Sequence, residues 1–445
     1  MSELFSGLYC VLYPAGIMKI RLPPEWGAEP VPESSRVLRF FDYFVLWSSL
    51  GVGLLVMVAG SFLSSLSFFE VLAVSLAGSI IGSLMLASAG VVGSRYGVPT
   101  MVSLRPVLGL RGSYIPTVLN IVQLIGWTGF EIMIMAQAAG VLTGWLFGEL
   151  SFPIWVVVFS LWCLLLALGG PLAVVRKWLE RYAIWLVYLS SIWITYLVAT
   201  SPGLGQWLTG GRPDAIPLLL ALDIVVAMPV SWWPLVSDYN RFAAKPSSSF
   251  TGTLSGYTVA NTWFYLLGAG LVAVLGIDDI ISAIGTLFLG NAALILILVD
   301  ETDNGFADIY SSAVSFQNIF PKTPQWVFAA FTTAAGALLA LTVPLLQYEW
   351  FLLLIGSLFV PLLGAMTAEF FINRRNNPPT VDEFYQPSGV KVRGFVSWIA
   401  GIMVYVTILQ LAPDIGASIP SFLTAVSVSV LQAQLVKQPL EKETR

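Results

Sequence analysis

The sequence predicts an all-α polytopic membrane protein with twelve transmembrane helices, and three observations carry that prediction. Apolar runs recur along the chain, separated by short polar joints. Their length matches the ~20 residues that a hydrocarbon core roughly 30 Å thick requires. The 445 residues are 57% hydrophobic and 10% charged, a balance far from that of soluble domains. Of the 21 Lys and Arg residues, all but Arg212 fall in alternate joints. Those joints hold Lys19, Arg21, Arg36 and Arg39; Arg95, Arg105 and Arg111; Arg176, Lys177 and Arg181; Arg241 and Lys245; Lys322; Arg374, Arg375, Lys391 and Arg393; and Lys437, Lys442 and Arg445. Glu149, Asp278, Asp279 and Asp414 mark the opposite set. Short basic loops stay on the cytoplasmic side, so both termini are expected inside.

The expected spans are about 38–63, 67–93, 113–144, 152–171, 181–200 and 214–237, then 251–276, 286–317, 326–345, 348–371, 394–412 and 416–436. The third and eighth exceed what the bilayer needs, which predicts tilt or a polar kink. Little chain is left for a soluble domain. No basic patch dense enough for nucleic acid is present. Cys10 and Cys163 suggest neither a disulfide nor a metal framework. The chain has no His, so any group that titrates within the membrane is a carboxylate. Residues 1–17 are too short to span and lack a basic start, which argues against a signal peptide. Translation from Met18 and a genuine extension both remain open.

Two interruptions stand five spans apart. The first span carries Ser48-Ser49-Leu50-Gly51-Val52-Gly53 at mid-membrane, and the sixth carries Met228-Pro229-Val230-Ser231-Trp232-Trp233-Pro234. Each proline removes a backbone donor, and in lipid the freed groups must be satisfied by protein, water or ligand. A matched pair points to an inverted-repeat transporter with its site at the midplane. Gly and Pro are also common in membrane helices for packing alone.

Intramembrane carboxylates are functional candidates. In the third span, Gln123, Trp127 and Glu131 recur every four residues and share a helical face. Such a face either stacks and reads a planar polar ring or supplies a packing Trp with an interhelical hydrogen bond. The eighth span holds Asp300-Glu301-Thr302-Asp303-Asn304-Gly305-Phe306-Ala307-Asp308 with no basic neighbour. Buried, such a cluster takes up protons or holds a hard cation through oxygen ligands; as an external loop it would be ordinary. Asp223 and Glu369 lie near span ends and read as structural. Asp238 and Arg241 read as an i,i+3 helix cap or a cytoplasmic gate.

Three stretches together resemble the nucleobase:cation symporter-1 family of cytosine, purine and hydantoin permeases. The first runs from Gly93-Ser94-Arg95-Tyr96-Gly97-Val98-Pro99 through Arg105-Pro106 and Gly109 to Gly126-Trp127. The second is Ser231-Trp232 through Asp238-Tyr239-Asn240-Arg241-Phe242. The third is Thr302-Asp303-Asn304 through Tyr310-Ser311 to Asn318 and Pro321. Pro24-Glu25-Trp26-Gly27, followed by Leu46-Trp47-Ser48-Ser49, looks closest to the hydroxymethylpyrimidine and cytosine permease branch.

The resemblance implies a LeuT-type fold, two inverted five-helix repeats followed by two accessory helices. The implied organisation is a cytoplasmic segment 1–37, a transport core 38–371 (repeats about 38–200 and 214–371), a cytoplasmic loop 372–393, accessory helices 394–436 and a tail 437–445. It also implies inward transport of a base with Na⁺ or H⁺, no other cofactor, residence in the inner membrane and a monomer that suffices. Carried over residue by residue, the stacking Trp falls on Trp127, its amide partner on Glu131, and the base-reading Asn on Asn304. Gly53, Met228, Pro229, Ser231, Trp232 and Gln123 complete the expected substrate contacts. The expected cation ligands are Ser49, Val52, Val299, Thr302 and Asp303.

Pro229 cannot stack like the family's aromatic, which leaves Trp232 as a second wall. Glu131 in place of an amide accepts hydrogen bonds, which suits an aminopyrimidine such as cytosine or hydroxymethylpyrimidine better than uracil or hydantoin. Purine, uracil and hydantoin transport remain the alternatives within the family. A membrane enzyme would want paired Asp clusters with Arg or Lys at a cytoplasmic opening, and a channel would want repeated charge or carbonyl rings. Neither pattern occurs in the sequence.

Overall fold

The computed structural model describes residues 9–12, 18–21, 26–171, 174, 179, 182, 184–210, 215–343 and 348–442. The basic joint at Arg176, Lys177 and Arg181, the exception Arg212, and Pro24 and Glu25 lie outside the described residues. A helix coincides with each expected span. They are α1 (Phe40–Ser49) with α2 (Leu54–Ser61), α3 (Phe68–Tyr96), α4 (Tyr114–Phe147), α5 (Ser151–Gly169), α6 (Ile184–Ala199) and α7 (Leu218–Ser231) continued by α8 (Val236–Asn240). The second half supplies α9 (Pro246–Leu275), α10 (Gly290–Ile319), α11 (Gln325–Thr342), α12 (Tyr348–Thr367), α13 (Val392–Leu411) and α14 (Ser418–Lys442). By length and hydropathy, 8 helices of the described residues qualify as membrane spans, or up to 9 with the bent pair α1–α2. In that count α4 and α5 form one 56-residue run, and the acid-bearing α10 and the short α6 fall outside the set. Near the N-terminus, β1 (Tyr9–Leu12) pairs antiparallel with β2 (Met18–Arg21), a hairpin the sequence did not suggest.

The helices form two groups. In one, α1 and α2 pack on α9, while α3 packs on α7 and α9. In the other, α4 packs on α5, α10 and α11. Close approach in the first group depends on small residues, the usual basis of helix association in lipid. A Cβ on Gly82 of α3 would stand 2.4 Å from Pro229 Cγ, and one on Gly256 of α9 would stand 2.4 Å from the Phe44 carbonyl oxygen. The accessory α13 and α14 pack on α12 and on each other.

Several of the described basic joints contact one another. Arg36 Nη2 donates to the Tyr96 carbonyl (3.3 Å), and Arg241 Nη1 to that of Gly27 (2.6 Å). Arg105 reaches Asn318 Oδ1 (2.8 Å) and the Phe384 carbonyl (3.2 Å), and Lys391 Nζ the Pro106 carbonyl (2.8 Å). Asp238 and Arg241 turn to separate partners. Asp238 accepts from the Thr100 amide (2.9 Å), while Arg241 Nη2 donates to the Tyr310 hydroxyl (2.9 Å). Asp223 is structural, accepting from the amides of Ala417 (3.0 Å) and Ser418 (2.9 Å) at the start of α14.

Candidate functional site

The first span breaks where its Ser/Gly run predicted. Between α1 and α2 the axis bends by 60°. Leu50, Gly51 and Val52 wind into tight turns, their amides donating to the carbonyls of Leu46 (2.9 Å), Ser48 (3.3 Å) and Ser49 (3.2 Å). Gly53 then adopts φ 145° and ψ 166°, a conformation essentially reserved for glycine. The backbone groups freed here are satisfied from α10. Glu301 Oε2 accepts from the Leu54 amide (2.9 Å), and Asn304 Nδ2 donates to the Val52 carbonyl (3.3 Å). A Cβ on Gly53 would lie 3.0 Å from both Glu301 carboxylate oxygens and 3.1 Å from Asn304 Nδ2, so side chain and glycine fit as a pair.

The sixth span yields less. α7 runs through Pro229 to Ser231, a 3₁₀ turn covers Trp233–Leu235, and α8 resumes at Val236. Pro234 offers no amide to the Val230 carbonyl, and the Pro234 carbonyl accepts from Asn120 Nδ2 (3.1 Å). Ser231 Oγ donates to the Met228 carbonyl (2.7 Å). The interruption is a tightened turn within one continuous span rather than a parted helix.

Between these two interruptions lies a cavity lined by Leu50, Gly53, Leu55 and Val56 from the first span, Trp127 and Glu131 from α4, and Met228, Ser231, Trp232 and Leu235 from the sixth. Glu301, Asn304 and Asp308 close it from α10. Its free volume, about 20 Å³, holds little more than a water molecule. A ring enters only when the walls part. Trp127 packs edge-on against Phe351 (centroids 5.4 Å, 70°), and Trp232 edge-on against Trp47 (6.4 Å, 85°). Glu131 is 4% exposed and neighbours Glu301.

Of the expected substrate contacts, Trp127, Glu131, Asn304, Gly53, Met228, Ser231 and Trp232 meet at this cavity, whereas Gln123 and Pro229 do not line it. Gln123 Nε2 donates to Asn120 Oδ1 (2.6 Å), and Pro229 faces Gly82 of α3. In the sequence, Glu301 and Asp308 stand out as part of an acidic stretch and not as cavity residues. Their spacing with Asn304 (i, i+3, i+7) puts all three on one stripe of α10, a signal the sequence did contain.

The expected cation ligands divide. Asp303, fully buried on α10, has the Ser49 side chain of α1 as its hydrogen-bonding neighbour. That pairing fits a cation or a proton. Thr302 Oγ1 donates to the Val299 carbonyl (2.9 Å), and both residues line a separate apolar groove beside Trp155 and Phe159 of α5. The Val52 carbonyl is engaged by Asn304. Among the described residues no trio of His, Cys, Asp or Glu groups is set to hold a metal ion.

Residues 30–430 match the model of a family described as permeases for cytosine/purines, uracil, thiamine and allantoin. A hydantoin permease of Microbacterium maritypicum is 24% identical over 425 residues, covering 87% of this chain and 84% of the relative. The cytosine permease of Escherichia coli (strain K12) is 23% identical over 353 residues, covering 78% and 81%. Among solved structures, Mhp1, a nucleobase-cation-symport-1 family transporter closed around bromovinylhydantoin, superposes with a TM-score of 0.79 at 20% identity, covering 94% of this chain and 96% of Mhp1. Its inward-facing form gives 0.77 at 19% identity, with 95% and 96% covered. The fold is therefore the LeuT-type one, and the chain belongs to the nucleobase:cation symporter-1 family of membrane permeases, which are transporters and not enzymes.

Proposed function

We propose that this permease is a secondary symporter that imports an aminopyrimidine of the cytosine or hydroxymethylpyrimidine class, coupled to Na⁺ or H⁺ by alternating access. The observation that carries the proposal is Glu131 beside Trp127 in the cavity at the first-helix break. A carboxylate there accepts from an exocyclic amino group, and from the adjacent ring nitrogen once that nitrogen is protonated, whereas uracil and hydantoin would turn a carbonyl toward it. Trp127 supplies the ring plate and Trp232 a second wall, with Asn304 and Ser231 at the edges. Asp303 opposite Ser49 takes the coupling ion. Both ligands bear on α10 and the first span, so each raises affinity for the other by linkage. The basic joints face the cytoplasm, with both termini inside and the chain in the inner membrane.

Uptake of labelled cytosine, uracil, hydantoin and allantoin into proteoliposomes, under imposed Na⁺ or proton gradients, tests this. Cytosine should accumulate against its gradient, and Trp127→Ala should lower its affinity about tenfold or more while the protein still inserts; stacking of a base on an aromatic is worth about 1–3 kcal/mol. Accumulation of uracil or hydantoin in preference to cytosine rejects the aminopyrimidine. Equilibration without accumulation rejects symport.

A further inference from the structure

The hydrogen-bonding capacity left open around the cavity is one-sided. Asn304 spends its amide nitrogen on the Val52 carbonyl; that contact requires a donor and so fixes the amide's orientation, leaving Oδ1 without a partner. Glu301 spends Oε2 on the Leu54 amide and keeps Oε1 open. Glu131 keeps Oε2 open. These three residues are at least 96% buried. Ser231 gives its hydroxyl proton to the Met228 carbonyl, so it too presents a lone pair. Asp308 adds a third carboxyl to the wall. No Lys or Arg lines the cavity, and His is absent from the chain. Buried acceptors without partners are costly, and buried charges more so.

Building on the reading of this cavity as the substrate site, we infer that it selects a planar ring carrying positive charge and an edge of adjacent N–H donors, an amidinium-type edge, over neutral rings of the same shape. Such an edge meets the two neighbouring carboxyls of Glu131 and Glu301 as a charge-assisted, two-pronged contact. The Asn304 oxygen accepts a further N–H, and Trp127 and Trp232 offer ring faces to a cation. A carbonyl edge finds no cationic donor, and the carboxyls of Glu131 and Glu301 already hydrogen-bond each other.

Benzamidine and benzamide share a ring and a shape and differ in this edge. Binding of each to the purified full-length chain in nanodiscs is measured by calorimetry at neutral pH, alongside cytosine uptake. Benzamidine should bind at least about tenfold more tightly than benzamide, since a hydrogen bond to a charged group exceeds a neutral one by about that factor. Glu131→Gln should bring the ratio close to one, and Glu301→Gln should do the same where that variant folds. Equal binding by the unaltered chain, or a ratio that survives Glu131→Gln, overturns the inference without recourse to a variant that misfolds. Coupled cytosine uptake with equal binding of the two probes leaves the proposed transport standing and removes only the charge selectivity. Discrimination between the probes without cytosine uptake removes the proposed substrate and keeps the charge-selective acidic cavity.

Discussion

The first and sixth spans are both interrupted in their course, yet the two interruptions are built differently. In the first, a glycine in a glycine-only conformation opens the chain, and side chains 247 and 252 positions away close the freed hydrogen bonds. In the sixth, two prolines within the span remove donors, and a 3₁₀ turn absorbs the loss locally. One break is therefore conditional on α10, and the other is intrinsic to its own sequence. A conditional break is suited to coupling: whatever occupies Glu301 or Asn304 also changes how the first span is held. The intrinsic break is suited to forming a fixed wall.

Substitution at Gly53 should break this contrast most severely. Gly53→Ala forces a Cβ into a backbone region that costs about 1–3 kcal/mol. It also presses that Cβ to 3.0 Å from the Glu301 oxygens. Cytosine uptake should fall below detection, and the melting midpoint of the detergent-solubilised protein should drop. Unimpaired uptake would mean that the first break needs neither the glycine nor its carboxylate.

Glu301 comes next. Glu301→Ala leaves the Leu54 amide buried without a partner, a penalty of about 1–3 kcal/mol. Glu301→Gln retains an acceptor for that amide and should recover most of the stability while losing the charge. Equal melting midpoints for the two variants would show that the first break does not depend on α10.

How much of this was legible follows from what each interaction spans. The helices were readable because each apolar run and each basic joint is local in sequence, and the bilayer fixes the length. Both interruptions were readable for the same reason: Gly53, Pro229 and Pro234 act on their own backbone. Trp127 and Glu131 share a face and one turn, and both reach the cavity. Gln123 shares that nominal face but lies eight residues from Glu131, about 12 Å along the axis and rotated by about 80°. It instead joins Asn120 in a polar contact beneath the sixth span. Pro229, three residues before Trp232, faces Gly82 because α3 approaches closely there. The pairing of Glu301 with Leu54 was illegible: nothing local announces a hydrogen bond between two spans separated by most of the chain.

Pro234→Ala sharpens the other half of the comparison with a smaller effect. The alanine amide can donate to the Val230 carbonyl and regularise the sixth span. Stability should stay level or rise by up to about 1 kcal/mol, with amide exchange at residues 233–236 slowed and uptake reduced. Exchange that does not change would assign the 3₁₀ turn to packing and to the pull of Asn120 on the Pro234 carbonyl.

The smallest effect is expected away from both breaks, in the loop after α12, and provides a baseline for the others. Arg374 Nη1 contacts Glu383 Oε2 at 2.7 Å and Nη2 contacts Oε1 at 3.2 Å, with both side chains partly exposed. The Arg374 guanidinium holds the Glu383 carboxyl below the usual carboxylate range. A carboxyl with a depressed folded pKa stabilises the fold above its unfolded value, near 4.3, and that contribution is lost as pH falls through the folded value. Exposed pairs are worth about 0–1 kcal/mol. Arg374→Ala should therefore lower the melting midpoint slightly at pH 7 and not at all well below pH 4, and uptake should be unaffected at either pH once protein level is matched. A loss at pH 7 as large as that of Glu301→Ala would mean that the loop after α12, and not the first-helix break, limits the stability of the fold.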